Sequence, residues 1–87
     1  MLLHEEKTAL IINSFYKVYN TLGYGFLEKV YENAILIELR SEGLICYQQT
    51  PVKVFYREFE VGKYYADISV SNLIIVEIKA GAGGIIL

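Results

Sequence analysis

Tyr64-Tyr65-Ala66-Asp67-Ile68-Ser69-Val70-Ser71-Asn72-Leu73-Ile74-Ile75-Val76-Glu77-Ile78-Lys79-Ala80 decides the fold: two apolar runs flank a short polar turn, and the stretch reads as a β-hairpin. Ala66, Ile68 and Val70 in the first run, and Ile74, Val76, Ile78 and Ala80 in the second, occupy one phase of the two-residue strand repeat. Asp67, Glu77 and Lys79 fall in the other phase. One face therefore packs, while the other carries two carboxylates and an amine. That is the minimum set for metal-assisted phosphodiester hydrolysis.

The length of the turn decides whether these groups meet, because directly opposed residues of an antiparallel pair share a face. A three-residue loop Ser71-Asn72-Leu73 pairs Val70 with Ile74 and sets Asp67 opposite Glu77. A two-residue loop Ser71-Asn72 pairs Asp67 with Val76 and turns Glu77 and Lys79 to the other side, unless a bulge restores the register. The odd loop or a bulge is the expectation, since the even loop mixes charged and apolar residues on both faces of a half-buried hairpin.

The 87 residues make one domain, taken here as residues 1–80, and 54% are hydrophobic, with eight Tyr and four Phe. A chain of this size buries roughly 60–65% of its extended surface, enough for a core. A single cysteine, Cys46, excludes an intramolecular disulfide and reads as a small buried hydrophobe; there is no Cys/His cluster for zinc. With no apolar leader after Met1-Leu2-Leu3 and no run of membrane-spanning length, the expectation is a cytoplasmic protein with no membrane partner. The net charge of −2 argues mildly against nucleic acid, but a metal-dependent nuclease site is itself acidic and its cation supplies positive charge.

Upstream of the hairpin, Leu10, Ile11, Phe15, Val18, Tyr19 and Leu22 follow helical spacing from about His4 to Leu22, ended by Gly23. Leu27, Val30, Tyr31, Ala34, Ile35, Ile37 and Leu39 carry a second helix to about Ser41, with Glu28 and Glu32 in its early turns and Gly43 past its end. The pattern then becomes strand-like: a short run Leu44 to Gln49, a break or sheet edge at Pro51, a strand Val52 to Tyr56, a turn at Arg57-Glu58, and a long strand Phe59 to Val70 bent at Gly62. The order is α-α-β-β-β. Gly81 to Leu87 fits neither period and reads as a Gly-rich apolar tail.

Gly25-Phe26-Leu27-Glu28-Lys29-Val30-Tyr31 fits Gly-x-x-Glu-x-x-Tyr at the mouth of the second helix. With Leu22 to Glu28, Gln49-Thr50-Pro51-Val52, the Gly62 strand and Val76-Glu77-Ile78-Lys79-Ala80, in this order, the chain resembles the GxxExxY protein family, a branch of the PD-(D/E)XK nuclease-like superfamily. The resemblance spans about His4 to Ala80. It implies an α+β, restriction-endonuclease-like core whose mixed, mostly antiparallel sheet holds Mg²⁺ or Mn²⁺ on Asp67 and Glu77. Lys79 then orients or deprotonates the attacking water, Glu28 reaches in from the helix to complete or steady the metal shell, and the Ile78 carbonyl adds an oxygen. Proteins of that family run on past this point with a further helix and strand, so the third strand's apolar phase is expected to be uncovered or to pack on a second copy, as a homodimer. Tyr24 stands where the family tends to have Pro.

Each residue also has a plainer reading. Asp67, Glu77 and Lys79 suit a solvated strand face, Glu28 suits the first turn of any helix, and the Tyr31 ring suits the core, although its hydroxyl is a candidate partner for Glu28 or a phosphate. Gly25 serves the turn, and His4 is assigned no role. Lys53, Arg57 and Lys63 are candidate phosphate contacts or ordinary surface cations. Two functions follow: a Mg²⁺-dependent nuclease acting on DNA or RNA, or a catalytically silent, oligomerising form of the same fold.

Overall fold

The hydrophobic periods give two helices followed by strands. The computed structural model describes residues 5–79 and 84–86. α1 spans Glu5–Leu22, α2 Glu28–Ser41, β1 Cys46–Tyr56, β2 Phe59–Val70, β3 Ile74–Lys79 and β4 Gly84–Ile86. The strands lie in chain order, β1-β2-β3-β4, and all three pairings are antiparallel, so the sheet is not mixed. This is the expected α+β arrangement. No helix among the described residues is long and apolar enough to cross a membrane.

The helices form one layer and the sheet the other. Ile11, Phe15 and Val18 of α1 and Tyr31, Ile35, Leu36 and Leu39 of α2 meet Ile68, Val70, Val76 and Ile78 of the sheet. These sheet residues are the apolar phase of the hairpin. Val76 and Ile78 are buried, so the expectation of an uncovered apolar phase on β3 is overturned: the two helices already cover it. Cys46 is buried in the same core. On α2 the buried stripe passes through Leu36, leaving Leu27, Val30 and Ile37 exposed.

Tyr31 ties the helix connection together. Its ring is buried and stacked on Tyr19, with centroids 4.8 Å apart. Its hydroxyl donates to the Gly23 carbonyl at 2.6 Å and accepts from the Phe26 N–H at 3.4 Å. Gly23 and Gly25 take φ values of +76° and +98°, which only glycine adopts without strain. The Tyr of the Gly-x-x-Glu-x-x-Tyr pattern therefore folds the connector, with its ring buried and its hydroxyl engaged by Gly23 and Phe26.

Three details depart from the sequence reading. β1 runs unbroken through Pro51, tolerated because β1 is an edge strand and the missing N–H costs the sheet little. The irregularity lies between Val54 and Phe55, where the β1–β2 register shifts. Gly84–Ile86, expected as part of a tail, pairs with β3 as a fourth strand; His4, Ala80, Gly81 to Gly83 and Leu87 lie outside the described residues.

Replacing Tyr31 by Phe keeps the ring and removes a buried hydroxyl that bridges the connector. Urea unfolding is expected to show a loss of about 1–2 kcal/mol, with an unchanged m-value.

Candidate active site

The turn places the site. Ser71 and Asn72 both take left-handed φ, +53° and +57°, and the Leu73 N–H donates to the Val70 carbonyl at 3.0 Å. The ladder then pairs Val70 with Ile74, Ser69 with Ile75 and Ile68 with Val76. This is the odd-loop register, and continuing it by one residue sets Asp67 opposite Glu77.

The β2–β3 ladder ends at Ile68–Val76, and from Glu77 onward β3 pairs with β4 instead. The β2–β3 ladder thus ends where the acidic residues begin. There the Ile78 N–H donates to Asp67 Oδ2 at 2.7 Å. A side-chain carboxylate thus takes a backbone donor beyond the end of the ladder, and the same bond fixes the orientation of Asp67 beside the Glu-x-Lys segment.

Glu77 is under electrostatic stress. Its carboxyl pKa is raised above the ordinary value, first by burial and then by the negative charge of Asp67; Lys79 opposes the shift and Glu32 adds to it. Its Oε1 is buried and has no hydrogen-bond partner among the described residues. A buried, anionic, unpartnered oxygen is costly unless something positive reaches it.

From α2 the negative charge of Glu32 acts on Glu77, whereas the sequence reading singled out Glu28. Glu28 is exposed at the first position of α2, and the helix charge acting on Glu77 is that of Glu32, one turn on. Glu32 is only 3% exposed and well held: Oε2 accepts from Lys29 Nζ at 2.9 Å and Gln48 Nε2 at 2.7 Å, and Oε1 accepts from Gln49 Nε2 at 3.2 Å. Gln49 takes a φ of +52°, uncommon for a side chain of its size, and lies between the paired residues Gln48 and Thr50, where Asp67 would be its partner. A signal for Glu32 was present in the sequence. It stands on the same helical stripe as Ile35 and Leu36, where an acidic residue is out of place unless it has partners.

The other candidates are spread over the β1–β2 hairpin. Lys53 Nζ lies 3.8 Å from Glu60 Oε1, Arg57 stacks over the Tyr56 ring at 5.3 Å from its centroid, and Lys63 lies over Tyr65 at 5.8 Å.

The donor set suits half of a hard-cation shell. Among the described residues no three carboxylate, imidazole or thiolate groups stand close enough together to cage an ion. Mg²⁺ does not need a cage, since one or two carboxylates with water and substrate phosphate suffice. The orphaned Glu77 Oε1 beside Asp67 is what such an ion would relieve.

Two carboxylates and a lysine on a hairpin backed by two helices define a nuclease-like α+β fold. A family model described as the PD-(D/E)XK nuclease superfamily matches residues 5–83, and the chain belongs to that superfamily. No curated protein and no solved structure matched it.

The raised Glu77 pKa has a signed consequence. The folded chain binds the Glu77 proton more tightly than the unfolded chain, so stability falls as pH rises through the ordinary carboxylate range and the loss saturates above the raised value. Glu77→Gln is therefore expected to melt higher than wild type at neutral pH, with the difference vanishing below about pH 4. Thermal melts across that range, with and without Mg²⁺, check this; Mg²⁺ is expected to stabilise the wild type and not the variant.

Proposed function

We propose that this chain is a Mg²⁺- or Mn²⁺-dependent nuclease domain of the GxxExxY branch, hydrolysing phosphodiester bonds of nucleic acid through Asp67, Glu77 and Lys79. The observation that carries this reading is the buried, unpartnered Glu77 Oε1 beside Asp67, on the same segment as Lys79. Asp67, Glu77 and the Ile78 carbonyl are the groups that would hold the ion. When bound, the ion neutralises phosphate charge and lowers the pKa of a water.

The chain's own residues do the rest. Asp67 is anchored through Oδ2 by the Ile78 N–H, which leaves its other oxygen outside that bond. Lys79 shares the strand phase of Glu77 and lies in solvent, so its amine can hold a water or take its proton. Glu32, gripped by Lys29, Gln48 and Gln49, adds negative potential from the helix layer and joins α2 to β1.

The silent reading draws on a different observation, the absence of a third carboxylate close to Asp67 and Glu77 among the described residues. In that reading the fold persists as an oligomerising module.

Nicking of plasmid and single-stranded circles with Mg²⁺ or Mn²⁺ separates the two. Cleavage by wild type is expected to fall by about 10²-fold or more in Lys79→Ala, whereas equal cleavage by both would reveal a contaminant and no cleavage by either favours the silent module. Glu32→Gln is expected to reduce cleavage more than Glu28→Gln, and the reverse order would return the helix role to Glu28.

A further inference from the structure

β2 alternates its side chains, so Lys63, Tyr65 and Asp67 stand on one face at steps of about 7 Å. The β1–β2 register sets Lys53 directly opposite Lys63 and Pro51 opposite Tyr65, with Phe55 two residues along β1 from Lys53, just past the register shift that follows Val54. This face of the hairpin is thus continuous with the face that carries Asp67.

Directly opposed like charges destabilise a ladder. Little in the chain relieves this pair: Glu60 reaches Lys53 only at 3.8 Å, with both side chains in solvent. Lys63 forms no ion pair among the described residues, and its ammonium rests over the Tyr65 ring. Tyr65 and Phe55 are 57% and 58% exposed, beyond the reach of the helix layer. Two opposed cations flanked by two solvent-facing rings match a partner with alternating negative charge and flat apolar faces. A nucleic-acid strand with unpaired bases has both. A duplex offers the phosphates but keeps its base faces stacked inside, leaving the rings without a function.

We propose that the Lys53–Lys63 face of the β1–β2 hairpin is a binding track for single-stranded nucleic acid that leads to Asp67. The lysines take the phosphates, and Tyr65 and Phe55 take the bases. What happens to the strand at the end of the track rests on the nuclease reading; binding along it does not.

Fluorescence anisotropy with the full chain in EDTA, using a labelled oligothymidylate of about 20 nucleotides and a labelled duplex of equal length, tests the track without cleavage. The single strand is expected to bind about tenfold more tightly than the duplex. Tyr65→Leu and Phe55→Leu, checked for native circular dichroism, are each expected to weaken single-strand binding by about tenfold while leaving duplex binding in place. Lys53→Ser with Lys63→Ser is expected to flatten the salt dependence, reducing the log–log slope by about 1–2.

Unchanged single-strand affinity in these folded variants, or tighter binding of the duplex, overturns the track. So does a change from dimer to monomer by light scattering with no change in oligonucleotide affinity, which assigns the hairpin to contact between copies. Track-dependent binding by a wild type that cuts nothing in Mg²⁺ or Mn²⁺ defeats the nuclease reading and leaves the track standing. Cleavage with unaltered affinity in the variants does the opposite.

Discussion

The parity of one turn governs the molecule. With two left-handed residues and Leu73 between Val70 and Ile74, every residue of β3 acquires its face. A slip by one position would put Glu77 and Lys79 into the core and Val76 into water. The turn is held from outside the hairpin as well, because the Ser71 N–H donates to the Ile45 carbonyl at 2.7 Å, just ahead of β1. The first strand thus helps set the register of the third, and the packing of Val76 and Ile78 under the helices enforces the same choice.

Charge then accumulates where hydrogen bonding runs short. Beyond Val76 the β2–β3 ladder ends, and Asp67 turns its carboxylate onto the Ile78 N–H. Glu77 is left beside it with a buried oxygen that has no partner among the described residues, and Glu32 adds a further negative charge from α2. The two acids are treated differently. Glu32 is neutralised and hydrogen-bonded by three side chains, whereas Glu77 has only the opposing charge of solvent-exposed Lys79. A fold optimised for stability alone would not leave that oxygen so. Strain of this kind collects at sites that bind or react.

Much of this was legible in the residues, and the exceptions have physical causes. The apolar phase of 64–80 announced the hairpin and favoured an odd loop or a bulge that would set Asp67 and Glu77 on one face. The Gly-x-x-Glu-x-x-Tyr pattern located the helix start, but it did not show that its Tyr is held in the connector or that Glu32 is the α2 acid acting on Glu77. The motif drew attention to Glu28 and to a Tyr31 hydroxyl available for a phosphate, while the fold uses that hydroxyl to clamp Gly23 and Phe26. Glu32 was hidden because a charge on an apolar stripe looks like an interruption until its partners, Gln48 and Gln49, arrive from a strand distant in sequence. Pro51 looked like a strand break because sequence does not say which strand lies at the edge. Gly84–Ile86 looked like a tail because three residues are too few to show a period.

That edge has a consequence for how the protein behaves in a crowded solution. β1 is eleven residues long and has no neighbouring strand on its outer side among the described residues, so it offers a template on which other chains could stack. Pro51 removes one backbone donor, Gln49 twists the chain out of the extended conformation two residues earlier, and Lys53 adds a charge two residues later. Within five residues the edge is interrupted in three chemically different ways. The same segment that holds Glu32 in place therefore also discourages the open sheet from growing into a fibre.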